Sequence, residues 1–408
     1  MHVFFKAIAP TGLLAGLLAG MPLQALAAPA VQPGSDSEVV EVLPGATRHR
    51  PALPFPSAPA SASASEAAAP AQPAPLTAAE AAQQAREAIS VARQNGDTRY
   101  WGRAQAVLAP WWDAPAAPAD LAVLQATVLQ GRHEFAASRT LLHSVLERAP
   151  GHAQGWLNLA SLERLSARYA ESLAACAAVE RAGQALYAQA CRLETASLQG
   201  RHAQAAQGLQ ALLANTRDAG QRSWLLSLLA EAQERAGNDS AAAKAYSASL
   251  AAEHDLYTAI AFSDLWLRTG QTAKALKVLA PLPETDAVVL RRAAAWKRLG
   301  DARWSAQRQL LTDRVQELER RGDDTALHGR ELALAALWLD EDPEQALQLA
   351  TRNLQLQREP LDWWVALQSA RLAGQGDAQQ RLQAEIAAAG LHDARLGTAG
   401  TAAKDAGQ

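Results

Sequence analysis

The amino-acid sequence predicts an all-α protein built from stacked antiparallel helix pairs. Alanine supplies 97 of the 408 residues, whereas Phe, Trp and Tyr together make up only 5%, and such a composition favours helix over sheet. No proline lies between Pro150 and Pro281, so helices can run through this region without interruption. Glycine-containing breakers recur with a period of about 34 residues, which is typical of helix-pair repeats.

Residues 1–27 are predicted to form a secretory signal peptide. Lys6 precedes an apolar run, and the small side chains of Ala25 and Ala27 then mark a cleavage site after Ala27. The apolar run is shorter than the roughly 20 residues that a membrane-spanning helix needs, and an uncleaved membrane anchor is the alternative. The mature protein is therefore expected to be periplasmic or secreted.

Three further segments follow the signal peptide. Residues 28–76 are rich in Pro, Ala and Ser and cannot bury enough apolar surface to fold, so they are predicted to be a disordered linker. Thr77 begins the helical domain, because Glu80 three residues later completes a capping box. The helical pattern fills residues 77–396, and residues 397–408 are predicted to be a disordered tail.

Short breakers separate the helical segments at intervals near one repeat. The pentapeptide Leu-Gln-Gly-Arg-His occurs at 129–133 and again at 198–202, and an alanine-rich helix follows each copy. His133 and His202 are therefore expected to lie at equivalent turns rather than in a split metal site. The breakers are Asn95-Gly96-Asp97, Gly131-Arg132, Gly200-Arg201, Gly237-Asn238-Asp239, Gly270-Gln271, Gly300-Asp301 and Gly376-Asp377.

One stretch matches a known repeat pattern closely. Trp156 corresponds to the large residue of a first helix, Leu159 and Ala160 to its small packing positions, and Tyr169 to the aromatic residue that opens the second helix. Phe135 lies one repeat length before Tyr169, in the equivalent place. On these residues the chain resembles the tetratricopeptide repeat (TPR) family.

The resemblance is strongest over residues 120–280 and extends loosely over 77–390, with a register that drifts after residue 300. It implies a right-handed superhelical solenoid whose concave groove binds a protein or peptide. The groove positions that it implies are acidic in the middle repeats and basic toward the later ones, so a partner that carries Lys or Arg is expected. These positions are Arg164, Tyr187, Glu194, Trp224, Glu231, Glu234, Arg235, Tyr257, Asp264, Arg268, Lys297 and Arg298.

The two cysteines, Cys176 and Cys191, lie on either side of a predicted helix-to-helix turn. Antiparallel neighbours joined by a short turn can approach within disulfide distance, and exported proteins favour such bonds. A disulfide is therefore expected, and two separate buried thiols are the alternative. Their spacing is not that of a Cys-x-x-Cys metal or redox site.

Four of the eleven tryptophans form two adjacent pairs, Trp111-Trp112 and Trp363-Trp364. Adjacent residues of a helix point about 100° apart, so one ring of each pair is expected at an edge of the core. Capping of the two ends of the array is one explanation, and a partner-binding aromatic site is the other.

Several classes of function find no support in the sequence. The formal net charge of -3 does not provide the basic field that holds nucleic acid. The scattered histidines predict no metal site, and the chain lacks a phosphate-binding glycine loop, a nucleophile elbow and a His-Glu-x-x-His helix. No cofactor and no catalytic residue are therefore expected.

The sequence as a whole predicts an exported, non-enzymatic TPR-like scaffold that binds a protein or peptide in the cell envelope. One alternative is a membrane-anchored assembly factor that retains its N-terminal helix, and an unprocessed N-terminus would favour it. The other is an enzyme with its site within residues 300–390. A buried His or carboxylate with a strongly shifted pKa in that region would favour the enzyme.

The signal peptide gives the first testable prediction. Signal peptidase should cut after Ala27, because Ala25 and Ala27 present the two small side chains that its binding site accepts. N-terminal sequencing and intact-mass measurement of the exported protein check this. Retention of Met1 in the exported protein would contradict it and favour the anchored alternative.

Overall fold

The computed structural model describes residues 76–322 and 328–397. The predicted signal peptide, the linker apart from Leu76 and the tail apart from Gly397 lie outside the described residues. Within them the chain forms nine antiparallel helix pairs and one short last helix. The helices are α1 (Ala78–Asn95), α2 (Arg99–Leu108), α3 (Ala119–Gly131), α4 (Phe135–Arg148), α5 (Ala153–Leu165), α6 (Tyr169–Arg181), α7 (Ala185–Leu198), α8 (His202–Asn215), α9 (Ala219–Arg235), α10 (Asp239–Ala252), α11 (Leu256–Arg268), α12 (Thr272–Leu279), α13 (Asp286–Arg298), α14 (Arg303–Arg321), α15 (Gly329–Ala335), α16 (Pro343–Asn353), α17 (Pro360–Leu372), α18 (Gly376–Ala389) and α19 (Ala394–Gly397).

The helical domain begins with the predicted capping box. The Glu80 backbone N–H donates to the Thr77 hydroxyl at 3.3 Å, and the Thr77 backbone N–H donates to the Glu80 carboxylate at 2.9 Å. These two bonds satisfy donors that the first turn of a helix otherwise leaves without partners.

The repeat spacing is most regular in the middle of the array. From Ala119 to Ala219 the first helices start about 34 residues apart, which is the TPR period, and elsewhere the intervals are less even. Phe135 and Tyr169 are each the first residue of a second helix, as the resemblance implied, and both are buried in the core. Because a single pair cannot bury its own apolar face, consecutive pairs share hydrophobic clusters, such as the one that joins α7, α8, α9, α10 and α11.

The two Leu-Gln-Gly-Arg-His copies do not take the same conformation. In the first, α3 continues through Gly131 and the left-handed residue is His133, with φ 63°. In the second, α7 ends at Leu198, Gly200 is left-handed and His202 begins α8. A Cβ at residue 131 would lie 2.5 Å from the Trp101 ring, so the glycine lets α3 pack closely there. The prediction that the two histidines occupy equivalent positions is therefore wrong.

The later repeats depart from the regular pattern, as the drift after residue 300 predicted. Helix α14 is 19 residues long, and α15 ends in a π-helical turn at Ala336–Asp340. Glu341 follows in the left-handed region with φ 55°. The Lys297 ammonium donates to the Leu339 carbonyl at 2.7 Å and so satisfies an acceptor that this irregular helix end would leave without a partner.

The tryptophan pairs lie near the two ends of the described array. Trp363 is fully buried while Trp364 is half-buried, as the rotation of about 100° between neighbours requires. Trp111 and Trp112 are both half-buried and pack against the core formed by α1, α2 and α3. None of the helices in the described part of the chain combines the length and the apolar character that crossing a membrane requires.

The C-terminal part of the chain packs against the middle repeats. Tyr169 and Leu198, from the middle repeats, belong to the same buried cluster as residues of α13 to α18. The Arg358 backbone N–H donates to the Leu165 carbonyl at 2.7 Å, and the His392 backbone N–H donates to the Leu198 carbonyl at 2.8 Å. The concave side of the middle repeats is therefore covered by the C-terminal part of the same chain.

Helices α6 and α7 are joined by a disulfide between Cys176 and Cys191, whose Cα atoms are 5.7 Å apart. Both side chains are buried. The bond fastens together a second helix and the first helix of the next repeat, and it closes a loop with a sequence separation of 15 residues.

Removing both cysteines should destabilise the array. The Cys176→Ala, Cys191→Ala variant should lose about 3 kcal/mol of unfolding free energy, since the closed loop no longer restricts the unfolded chain. Chemical denaturation with and without reductant checks this, because reductant should weaken the wild type and leave the variant unchanged. Equal stability of oxidised wild type and variant would contradict the prediction.

Candidate functional site

The concave side of the array contains a charged cavity of about 240 Å³. The first helices α5, α7, α9, α11, α13 and α15 contribute to its wall, and the segment before α17 and the C-terminal Arg395 complete it. Among the described residues, six arginines and six carboxylates line this cavity together with a few apolar side chains. We call it the central cavity.

Seven of the twelve predicted groove residues line the central cavity. All twelve lie on first helices, as the resemblance implied, and five of them do not line the central cavity. The C-terminal segments cover part of this surface, so it forms a partly open cavity and not a continuous groove. The seven are Arg164, Glu194, Glu231, Glu234, Arg235, Tyr257 and Asp264.

Ion pairs neutralise most of the charge in the central cavity. Arg291 donates to both carboxylate oxygens of Asp264 at 2.7 Å, and the side chain of this arginine is only 3% exposed. Arg164 and Glu194 lie 2.8 Å apart on α5 and α7. Removing one member of such a pair is costly, because the other charge would then be buried alone. The acidic middle of the predicted groove is therefore matched by the chain's own arginines.

Two tyrosines, one buried and one half-buried, hold carboxylates in place. The Tyr246 hydroxyl donates to Glu234 and the Tyr257 hydroxyl donates to Glu231, both at 3.0 Å. Burial and the neighbouring Glu234 carboxylate raise the pKa of the Tyr246 hydroxyl well above its usual value. Tyr246 therefore stays protonated, and its hydroxyl remains a donor at any physiological pH.

Arg235 is a buried cation of the central cavity. Its Nε donates to Ser197 Oγ at 3.0 Å and its Nη1 donates to Glu231 at 3.3 Å. Its remaining terminal nitrogen, Nη2, has no hydrogen-bond acceptor among the described residues, although Arg235 is only 4% exposed. A buried donor without an acceptor is costly, so this atom marks where a ligand oxygen would be stabilised.

The two predicted aromatic groove residues of α7 and α9 do not line the central cavity. Trp224 is buried and stacks on Tyr187 with ring centroids 5.3 Å apart. Tyr187 in turn accepts a hydrogen bond from Gln221. Trp224 lies within the hydrophobic core of the middle repeats, and half-buried Tyr187 packs against that core.

The three predicted basic residues of the later repeats are engaged elsewhere. Arg268 forms an ion pair with Glu234 at 3.2 Å. Lys297 caps the π-helical turn after α15, and Arg298 donates at 2.6 Å to a backbone carbonyl of α11. All three therefore stabilise contacts between neighbouring first helices.

A buried carboxylate with a shifted pKa lies within residues 300–390. Burial raises the pKa of Asp362, and the Arg330 guanidinium opposes this shift. Asp362 accepts from Arg330 at 2.7 Å on both oxygens, from Asn353 at 2.7 Å and from the Glu359 backbone N–H at 2.8 Å. Because all of these donors favour its ionised form and its side chain is not exposed, this carboxylate fastens α15, α16 and α17 together.

No group of three or more His, Cys, Asp or Glu side chains that could hold a metal ion occurs in residues 76–322 and 328–397.

Sequence reasoning missed the C-terminal residues of the central cavity. Arg291, Arg330, Arg358, Glu359 and Arg395 all line it. One signal could have found some of them, because the ion pairs between first helices join opposite charges about one repeat apart. The separations are 27 residues for Asp264 and Arg291, 29 for Arg330 and Glu359, and 34 for Glu234 and Arg268.

Acid should weaken the contact between Asp393 and Arg395. Burial alone would raise the pKa of the Asp393 carboxyl, but the Arg395 guanidinium lowers it below its usual value of 3.8. A carboxyl with a lowered pKa stabilises the fold above its unfolded-state pKa, and this contribution is lost as pH falls through the folded-state value. The charged or titratable groups near Asp393 include His392, His202 of α8, Arg235 of α9 and Tyr169 of α6.

The Asp393→Asn variant tests whether this contribution to stability is lost as the pH falls. It should lower the unfolding free energy by about 2 kcal/mol at neutral pH, the contribution of a hydrogen bond to a charged group. The difference from wild type should shrink as the pH falls below 3.8, measured by denaturation at a series of pH values. Asp377→Asn on the exposed start of α18 is the matched control. A difference that does not change with pH would contradict the prediction.

The comparisons with known proteins reach only the level of the fold. No protein-family model and no curated protein matches the sequence. The chain is similar to a tetratricopeptide repeat protein from Parabacteroides merdae ATCC 43184, with 12% identity over 65% of this chain and 98% of that one and a TM-score of 0.37. It is also similar to the TPR domain of P58(IPK), with 13% identity over 76% and 92% of the two chains and a TM-score of 0.24. The helix pairs and repeat spacing described above themselves give this chain a TPR-type helical-repeat fold.

Proposed function

We propose that this protein is a non-enzymatic scaffold that binds a protein or peptide partner at the central cavity. The observation that carries the proposal is the cavity itself, since six first helices place charged side chains on one partly covered concave surface. Stacked repeats use such surfaces for binding, because each repeat adds side chains to the same wall.

The size of the central cavity favours a short peptide segment. Its volume of about 240 Å³ lies below the roughly 300–1,000 Å³ of pockets for drug-sized ligands. A few residues of a chain end or loop fit this space, whereas a folded domain does not. The Nη2 donor of Arg235, which has no acceptor among the described residues, would be satisfied by a carbonyl oxygen of such a segment.

The surroundings of the central cavity combine charge with apolar surface. Leu165, Ile260 and Leu361 lie among the charged side chains of its wall. A peptide could therefore gain apolar contacts while its polar groups meet the arginines and carboxylates. This combination gives specificity through charge and affinity through burial.

We further propose that the protein acts in the cell envelope or outside the cell. The predicted signal peptide supports export, and a buried disulfide between two helices suits an oxidising compartment. The membrane-anchored alternative differs only in whether the N-terminal segment is removed, which the N-terminal sequence of the exported protein decides.

Filling the central cavity tests the proposed function. Ala261 of α11 and Ala287 of α13 line it and are half-buried, so the Ala261→Phe, Ala287→Phe variant of the full chain should lose on the order of tenfold in partner affinity. Capture from envelope extract, followed by titration of the captured partner against both proteins, measures this loss.

The matched control is Ala248→Phe with Ala251→Phe, two exposed positions of α10. It carries the same helix-propensity cost of about 0.5 kcal/mol per substitution, and it should bind like wild type. Both variants should keep wild-type helicity by circular dichroism. A partner that binds the cavity-filled variant as tightly as the control would overturn the proposed site.

A further inference from the structure

The last described residues of the chain lie on the concave side of the middle repeats. We define Leu391–Leu396 as the closing segment. We propose that the closing segment occupies the seat of a partner peptide, and that the partner displaces it by presenting an arginine at the position of Arg395, which lies in the short helix α19. This inference rests on the proposed function and names the chemistry of the ligand.

The closing segment is held by its backbone at the end of α7. The His392 N–H donates to the Leu198 carbonyl at 2.8 Å, and Gln199 and His392 form an isolated parallel β-bridge. The last carbonyls of a helix lack partners within the helix, so any peptide with a free N–H at this place satisfies the same acceptor. This part of the seat therefore does not depend on the sequence of the bound segment.

The turn after α7 is shaped to admit the closing segment. Gly200 adopts φ 86°, and a Cβ at this position would lie 3.0 Å from the His392 side chain. Glycine thus permits both the left-handed turn and the close approach of the bound segment. Leu391 is buried beside it, which adds an apolar anchor at the start of the segment.

The side chain of Arg395 supplies the specific contact. It lies 3.3 Å from Glu234 of α9 and 2.5 Å from Asp393 of its own segment. Glu234 is 4% exposed and also meets Arg268 at 3.2 Å and the Tyr246 hydroxyl at 3.0 Å. A partner must therefore bring a cation to this carboxylate when it removes Arg395, because losing one member of a buried pair is costly.

Arginine fits this position better than lysine. The guanidinium of Arg395 reaches the Asp393 and Glu234 carboxylates at the same time, which its planar set of donors allows. Asp393 stands two residues before Arg395 and orients it. The partner peptide should thus carry an arginine preceded at the second position by a carboxylate.

The closing segment competes with the partner from within the same chain. A segment tethered by a short linker acts at an effective concentration in the millimolar range. A free peptide of the same sequence should therefore bind poorly to the wild type and clearly once the closing segment is released. This difference makes the seat measurable without knowledge of the natural partner.

A fluorescently labelled peptide with the sequence of residues 390–397 is the probe. We expect it to bind the full-length His392→Pro, Arg395→Ala variant at least tenfold more tightly than the wild type in fluorescence anisotropy. The proline removes the N–H that donates to Leu198, and the alanine removes the ion pair with Glu234. Arg381→Ala, at an exposed position of α18, is the control and should bind the probe as weakly as the wild type.

Two further arms test the chemistry of the seat. A probe with alanine in place of its arginine should lose most of its affinity, and adding Glu234→Gln to the released variant should have the same effect. If the double variant loses helicity, Arg395→Ala alone takes its place. Failure of a folded, released variant to bind the probe better than wild type overturns the inference.

The results separate this inference from the proposed function. If filling the central cavity weakens capture of the partner but the probe does not compete with that partner, the inference about the closing segment is overturned. The proposed function is then still supported. If the probe binds the released variant, but the partner binds the cavity-filled variant as tightly as the wild type, the seat is supported and the proposed site is overturned. A probe that competes with a cavity-dependent partner supports both.

Discussion

The covering of the concave side depends on hydrogen bonds to the last carbonyls of two first helices. The Leu165 carbonyl of α5 accepts from Arg358, and the Leu198 carbonyl of α7 accepts from His392. Both donors are backbone groups from the C-terminal part of the chain. Without these bonds the helix ends would need water or another partner, and the concave side would be open. With them the C-terminal part of the chain packs on the middle repeats, and the central cavity becomes a partly covered charged space.

Closure also explains the number of arginines. Water no longer screens the carboxylates of the central cavity fully, so each carboxylate needs a cation nearby. Five of its six carboxylates form an ion pair with one of its arginines, at 2.6 to 3.3 Å. Arginine suits these places because its fixed donors can bond a carboxylate at two points, as Arg291 does with Asp264. Three of these pairs join consecutive repeats, so the charged lining also stabilises the stack.

The sequence was a good guide to everything that repeats. Helix pairing, the places of Phe135 and Tyr169 and the face that carries Glu194 and Glu231 all follow from the repeat period. The sequence did not predict that the C-terminal part of the chain covers the concave side. The donors that hold it there are backbone N–H groups, and these cannot be recognised from the types of the residues. The curvature of a solenoid also accumulates from small rotations per repeat. The contact between His392 and α7 therefore depends on many small angles that single residues do not specify.

The closing segment occupies the concave side, so a ligand must displace Arg395 before it can bind. This requirement decides which ligands are selected. A ligand without a cation could displace Arg395 only by leaving Glu234 buried with one cation fewer, and breaking a buried pair in this way costs roughly 3–5 kcal/mol. A ligand that brings its own arginine exchanges one ion pair for an equivalent one and avoids this cost. Discrimination between the two ligands thus comes from the penalty on the wrong one more than from attraction to the right one. The closing segment raises that penalty because it keeps the seat filled until an equivalent group arrives.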